Sequence, residues 1–474
     1  MSVNASMSAS DRINALLDDA SFVEVGSLIT ARSTDFNLDS VDTPKDGVIT
    51  GYGLINGRLV YVYSQDRSVL SGSIGEMHAK KLAKLYDMAM KMGAPVIGLI
   101  DCAGLRLREA TDALNAFGRL YMKQTMASGV VPQITAILGT CGGGVAVVPT
   151  LTDFTFISEE SGKLFVNSPN TLDGNYTEKL DTASADYISR NTSLVDKVLK
   201  TDAEVLAEIR SFIDFLPSNC DEEGFSDSED DLNRTIPNLD SLKDDARAVI
   251  QNIADDNLFY EIKEHFAPEM VTGFVRLNGF TTGVVANQVK DGSDMLTSAG
   301  MQKAAKFVNF CDSFNVPVLT FTNVKGFTAT IDEEKTAAEA AARLIQTFAN
   351  ATVPKVNVIT GVAYGTAFTA MNSKSVGADI VYAWPNAKVG MMDAEMAAKI
   401  IYDEEIKAAD DKSKAVADYK KQYENIQGSA LSAARRGYVD DIIEPDATRK
   451  RVVAAFEMLS TKIEERPYKK HVSI

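Results

Sequence analysis

Histidine and tryptophan are almost missing from this 474-residue sequence, which has three of the first and one of the second. His78, His265 and His471 show no metal-ligand spacing and no nucleophile motif, so a metal hydrolase or a catalytic triad is a poor expectation, and no metal is expected. Cysteine is also scarce. Cys102, Cys141, Cys220 and Cys311 make neither a Cys-x-x-Cys pair nor a disulfide frame, and they point to a reducing compartment. No apolar run approaches the length of a membrane-spanning helix, and the polar start from Met1 to Ser10 lacks a basic-then-apolar leader, so a cytoplasmic protein is expected. Positive charge is in deficit: 48 Lys and Arg stand against 65 Asp and Glu, a net charge of −17, which opposes binding to nucleic acid or to an anionic membrane. The remaining composition, 45% hydrophobic and 24% charged, is that of an ordinary soluble globular chain long enough for two or three domains.

Turn residues recur at one offset. Pro95 and Pro317, Pro132 and Pro354, and Gly104 and Gly326 are each 222 apart, as are Thr50-Gly51 and Thr272-Gly273, Asn56-Gly57 and Asn278-Gly279, Gly139 and Gly361, and Gly143 and Gly365. Between residues 50 and 144 this offset yields roughly twenty identities where about six would arise by chance. The register then slips to 226, pairing Thr152-Asp153-Phe154 with Ala378-Asp379-Ile380. A repeat of this length is a duplicated domain, here read as residues 1–230 and 231–474. The acidic stretch 218–245, with prolines at 217 and 237, reads as a linker that supplies no core, and the charged stretch 403–421 reads as a solvated helix.

Each copy predicts the same order of elements. In the first, residues 59–64 form a strand, 77–92 a helix stopped by Gly93, 96–100 a buried strand, 112–128 a helix and 134–138 another buried strand. In the second, 318–321 and 356–359 are strands and 336–350 a helix. Alternation of this kind is α/β. Two glycine-bearing turns follow buried strands in each copy: Ala103-Gly104 and Gly142-Gly143-Gly144 in the first, Lys325-Gly326 and Gly365-Thr366-Ala367 in the second. Paired N–H groups from such turns can hold a thioester enolate oxygen, although a single glycine run is as readily explained as a tight turn. Repetition at matching positions favours the oxyanion hole.

Two other motifs carry less. A dinucleotide turn at Gly139-x-x-Gly142-Gly143-Gly144 would feed a long helix, but Pro149 and a strand at Phe154 leave room for about two turns. Ala89-Met90-Lys91-Met92 has the residues around a biotin-bearing lysine, yet Lys91 ends an amphipathic helix instead of topping a hairpin.

Several segments together resemble the carboxyltransferase β subunits of biotin-dependent acyl-CoA carboxylases. They include Asp46-Gly47-Val48-Ile49-Thr50-Gly51, Ser64-Gln65-Asp66, Gly93-Ala94-Pro95-Val96-Ile97-Gly98-Leu99 and Ser128-Gly129-Val130-Val131-Pro132-Gln133-Ile134, then Phe307-Val308-Asn309-Phe310-Cys311-Asp312, Tyr382-Ala383-Trp384-Pro385, Arg435-Arg436-Gly437-Tyr438-Val439-Asp440 and the terminal Lys470-His471. The resemblance runs from Asp11 onward. It implies two crotonase-type domains, the first holding acyl-CoA and the second biotin. It also implies a hexamer whose active sites join the first domain of one subunit to the second domain of another. The partners it implies are a separate biotin carboxyl carrier protein and either a biotin carboxylase or a membrane decarboxylase subunit, the latter making the protein peripheral to a membrane complex. Carboxybiotin loses CO₂ in such a site and the biotin anion takes the α-proton, so no protein base is needed. By position, Gly104, Gly143 and Gly144 would then serve the thioester and Gly326, Gly365, Thr366 and Ala367 the biotin, with Ala103, Arg106 and Thr369 touching the substrate.

The chain departs from the family around both sites. Gly-Gly-Ala-Tyr-Asp becomes Gly365-Thr366-Ala367-Phe368-Thr369, Met-Gly-Ala-Lys-Gly-Ala becomes Met392-Asp393-Ala394-Glu395-Met396-Ala397, Pro-Gly-Phe becomes Lys325-Gly326-Phe327, and Thr-Gly-Pro becomes Asn167-Ser168-Pro169. These changes leave the acyl group and the direction of transfer open, including a subunit of a sodium-pumping methylmalonyl-CoA or malonyl-CoA decarboxylase. Two other classes stay open: a crotonase-type hydratase or hydrolase using Glu109, and a non-catalytic assembly subunit that has lost a hole at Thr366.

Overall fold

The computed structural model describes residues 7–32, 35–36, 41–290 and 292–466; the chain start through Ser6 and the terminal Lys470 and His471 lie outside the described residues. The chain divides into two units, Met1–Gly224 and Phe225–Ile474. The division falls slightly before the one expected after residue 230.

In the first unit β1 (Val23–Glu24), β2 (Val48–Ile55), β3 (Arg58–Gln65), β4 (Val96–Cys102), β5 (Gln133–Gly142), β6 (Phe154–Ser158) and β8 (Lys197–Leu199) lie in that order in one sheet, with β7 (Lys163–Phe165) paired to β5. The β2–β3 hairpin turns at Asn56-Gly57, both at positive φ (50° and 77°), the conformation a two-residue hairpin needs. From β3 onward the neighbours β4, β5, β6 and β8 run parallel. Every residue of β4 and β6 is buried, as expected for parallel strands covered on both faces. Helix Glu76–Met92 buries Leu82, Leu85, Tyr86 and Ala89, residues of the first core, and ends on left-handed Gly93.

The second unit repeats the plan with β9 (Phe259–Ile262), β10 (Met270–Leu277), β11 (Phe280–Asn287), β13 (Val318–Val324), β15 (Lys355–Tyr364), β16 (Ile380–Ala383), β17 (Lys388–Gly390) and β18 (Asp441–Ile442); β12 (Met295–Leu296) and β14 (Gly326–Phe327) make a separate two-stranded sheet. Strands β2 and β10, β3 and β11, β4 and β13, and β5 and β15 begin 222 residues apart, and β6 and β16 begin 226 apart. The slip in the sequence register is therefore the slip in the fold.

Side chains are duplicated too. Asp18 accepts from the N–H groups of Asn56 (3.1 Å) and Gly57 (2.9 Å), and Asp255 does the same for Asn278 (3.2 Å) and Gly279 (2.7 Å). Each carboxylate is paired with an arginine from a late helix, Arg210 at 2.8 Å and Arg449 at 2.7 Å. Two buried lysines 222 apart tie a helix to the turn entering the hairpin. Lys81 donates to the carbonyls of Lys45 and Val48, and Lys303 to those of Lys263, Phe266 and Ala267. Burial lowers their pKa values to about 8 and about 7.

The stretch 218–245 corrects an expectation. Ile236 and Leu239 are buried in the second core, with Leu232 and Leu242 packed against it, and Asp230 pairs with Arg234 and Arg449. Apolar residues three or four apart suffice to seat the segment, a signal that the surrounding acids obscure. The charged stretch forms helices Asp403–Ala408 and Lys412–Ile426 with no buried residues, the solvated character expected.

Arg449 is fully buried and Asp255 is 2% exposed. Arg449→Met is therefore expected to destabilise the protein by about 3–5 kcal/mol, because it strands a buried carboxylate. Denaturant unfolding of wild type and variant measures this, and a loss below about 1 kcal/mol would contradict it.

Candidate active site

The first pair of turns leaves adjacent parallel strands. Cys102 at the end of β4 is the register partner of Cys141 near the end of β5, so Ala103-Gly104 and Gly142-Gly143-Gly144 emerge side by side at the carboxyl ends of the strands, where open α/β sheets place ligands. After Gly142 the chain enters a short 3-10 turn, Gly143–Val147, and then helix Val148–Leu151 before β6, the short helical segment expected. Gly143 takes φ 62°, which favours glycine, and its N–H and that of Gly144 open the turn, where no earlier carbonyl of the helix can accept them. Gly144 is exposed, and its carbonyl accepts from Tyr121 Oη at 2.6 Å.

An anchor holds the two turns together. Asp101 accepts from Thr140 N–H at 3.2 Å across the space a side chain at Gly139 would fill, and in the second unit Asn323 accepts from Val362 N–H at 2.9 Å across Gly361. Gln65 and Asn287 accept from the N–H groups of Asp101 and Asn323 in turn. Nothing in the sequence points to this anchoring role, although the repeat offset pairs each residue with its counterpart.

Gly104 is placed beside the turn but differs from expectation as a donor. Its N–H is aimed at Cys102 Sγ (3.3 Å) and its carbonyl accepts from Ile74 N–H, while Ala103 donates to Ser71 O at 3.1 Å. In this conformation both shape the site's edge. Arg106 departs further: its guanidinium is buried, bonded to Asp46, to Glu109 Oε1 at 2.7 Å and to Ser73 O at 2.6 Å. Three buried acceptors hold it away from solvent, so it serves the loop and not a substrate contact. Glu109 is buried as well and spends its second oxygen on Glu76 N–H at 2.6 Å, which removes it from the role of an exposed acid or base.

In the second unit β13 ends beside β15, delivering Lys325-Gly326 and Gly365-Thr366-Ala367. Gly365 repeats the left-handed turn with φ 59°, opening helix Gly365–Ala370. Thr366 is exposed at the position equivalent to Gly144, Ala367 is buried, and Thr369 is half-buried with its hydroxyl donating to Gly365 O at 3.4 Å. Lys325 donates its N–H to Asp294 O at 2.7 Å and pairs its ammonium with the Asp294 carboxylate, which raises its pKa.

Titratable chemistry near the first turn is quenched. Burial pushes Cys102 up to about 12 and Cys141 well above the usual thiol range. His78 is held well below the usual histidine range by burial, with Arg106 and Lys81 adding to the effect, and its Nδ1 lies 3.0 Å from Asp46 O. His265 is near Glu264, and His471 lies outside the described residues. Among the described residues no group of three or more His, Cys, Asp or Glu could hold a metal ion. Lys91 sits in the last turn of helix Glu76–Met92 and not on a hairpin.

Beside the first turn lies a cleft of about 320 Å³, whose walls include Ala146, Val147, Leu164 and Val166. It went unseen in the sequence because its walls come from segments up to 48 residues apart, Ala146 to Leu194.

Comparison with known proteins places this geometry. The sequence matches the carboxyl transferase domain over residues 4–474. It is 42% identical over 480 residues to the propionyl-CoA carboxylase beta chain of Roseobacter denitrificans, covering 99% of this chain and 93% of that one. It is 40% identical to methylmalonyl-CoA decarboxylase subunit alpha of Propionigenium modestum, with the same coverage of both. Among solved structures, the transcarboxylase 12S hexamer core with methylmalonyl-coenzyme A and methylmalonic acid bound superposes with a TM-score of 0.94 at 37% identity, over 98% of this chain and 91% of that one. The two α/β units fit the duplicated domain expected from the repeat and the crotonase-type build that the resemblance implies. The chain belongs to the carboxyl transferase domain family.

Proposed function

We propose that this chain is a carboxyltransferase that moves a carboxyl group between biotin on a separate carrier protein and a short acyl-CoA. The observation that carries this reading is the pair of equivalent left-handed glycine turns, Gly143 and Gly365, each at the carboxyl end of a central parallel strand in its own copy of the domain. Two oxygens that gain negative charge need two sets of N–H donors. On this reading Gly143 and Gly144 hold the thioester oxygen, and Thr366 and Ala367, with Gly326 and Gly365 shaping the turn, face the biotin. Biotin supplies the carboxyl group and the base, which agrees with a first turn whose neighbouring acid, histidine and thiols are all buried.

Thr369 stands where the family has an acid and is proposed to help select the acyl group, since a neutral side chain removes a desolvated charge from the pocket. Carboxylation and decarboxylation pass through the same enolate, and relatives of both kinds stand at about 40% identity. The partners proposed are the biotin carrier, a biotin carboxylase or membrane decarboxylase subunit, and further copies of this chain in a hexamer such as transcarboxylase 12S forms. Among the described residues no helix is long and apolar enough to cross a membrane.

The test is biotin-dependent loss of carboxylate from malonyl-CoA and methylmalonyl-CoA, with free biotin and then with a biotinylated carrier. Turnover of either is expected. If every short acyl pair stays inert with an active carrier, the non-catalytic assembly reading, which the exposed Thr366 side chain favours, takes its place.

A further inference from the structure

We propose that the apolar cleft beside the first turn receives the acyl chain of the thioester, so that among short acyl groups those of four to six carbons bind more tightly than those of two or three; this rests on the carboxyltransferase reading above. The cleft, about half open to solvent, offers about 320 Å³. At the roughly 30 Å³ that one water occupies in the liquid, that is room for about ten small groups, far more than a two- or three-carbon acyl group fills.

Its place along the chain fits. Ala146 and Val147 on its wall follow the Gly143-Gly144 donors by two to four residues. At about 2 Å rise per residue in a 3-10 turn, they lie roughly 4–8 Å from those donors. About three to six carbon–carbon bonds of about 1.5 Å cover that reach. Phe165, also in the lining, packs against Gly142 and joins the cleft to the turn.

The lining chooses between the two ends of the substrate. Leu164, Val166 and Leu194 are apolar, and Thr150 donates its hydroxyl to Val147 O at 2.6 Å. Among the lining residues only the side chains of Asn167 and Thr182 remain to meet polar groups. The two amides of the CoA arm would lose hydrogen bonds to water that this surface replaces poorly. A hydrocarbon chain loses none, and it covers Val147 and Val166, which are 36% and 64% exposed.

Calorimetric titration of the full chain with propionyl-, hexanoyl- and octanoyl-CoA tests this. Each buried methylene tightens binding about fourfold at full burial, so hexanoyl-CoA is expected to bind at least tenfold tighter than propionyl-CoA. Val166→Trp, at an exposed site at the mouth, is expected to remove most of that ratio, and Val166→Asp should do the same by placing a charge there. Equal affinities for the three thioesters in wild type would overturn the proposal. So would a tryptophan variant that weakens all three equally, which would assign the cleft to the CoA arm. A change in assembly size by gel filtration with the ratio intact would make the cleft a subunit contact and overturn it as well. Length-dependent binding without carboxyl transfer from any thioester would support the cleft and defeat the carboxyltransferase reading.

Discussion

Replacing Gly144 with valine is expected to lower carboxyl transfer by on the order of 10² to 10³, the usual cost of losing one oxyanion donor. A Cβ at this position would lie 3.1 Å from Tyr121 Oη and 3.3 Å from Phe117, tighter than ordinary packing, and the branches of valine extend beyond it. Either the tyrosine swings away, releasing its bond to Gly144 O, or the 3-10 turn shifts and re-aims its N–H groups. Either route loosens or shifts the turn that carries the N–H groups proposed to hold the thioester oxygen. Gly144 is exposed and belongs to no core cluster, so folding and assembly should survive. Steady-state kinetics beside gel filtration and a thermal melt check the separation. Activity within about threefold of wild type, in an assembly of unchanged size, would place the thioester donors elsewhere.

Arg106→Met is expected to destabilise the protein by about 3–5 kcal/mol and to abolish ordered positioning of the first loop. The arginine binds Asp46 and Glu109, whose side chains are fully buried. Their remaining oxygens accept from His78 N–H and Glu76 N–H, both at 2.6 Å, at the start of helix Glu76–Met92. Without the guanidinium, two carboxylates face each other in the core.

The variant should carry a pH signature. Burial already raises the Asp46 pKa, against the lowering influence of Arg106. Losing Arg106 raises it further. An acid whose folded pKa exceeds its unfolded value binds more protons in the native state, so its contribution to stability grows as pH falls through the folded pKa. Urea unfolding at pH 7.5 and pH 5 should therefore show the deficit relative to wild type shrinking at the lower pH. A deficit that is constant or widens would mean that lost packing, and not stranded charge, dominates. Arg106→Lys should recover part of the stability, since a single ammonium cannot reach all three acceptors in a planar fork.

The anchors behind the paired turns show why some of the site is readable in one dimension. Gly139 and Gly361 leave space for Asp101 and Asn323, and Gly143 and Gly365 take a left-handed φ. Such demands are local and backbone-bound, so they recur at a constant offset wherever the fold is copied. Asn56-Gly57 and Asn278-Gly279 follow the same logic at the hairpins. Duplication, the α/β order of elements and the position of both pairs of turns were thus determined by the amino-acid sequence itself.

Other features depended on which distant residues meet. The resemblance places Arg106 at the substrate, and only the fold sets Asp46, sixty positions earlier, against it. Ile236 and Leu239 look stranded in an acidic linker until they are found buried with Trp384, Val452 and Val453. The engagement of the Gly104 N–H by Cys102, and the cleft walled by segments from Ala146 to Leu194, appear only once the chain is folded. Burial, charge pairing and cavity shape are properties of neighbours in space, and a sequence pattern carries them only where neighbours in space are also close along the chain.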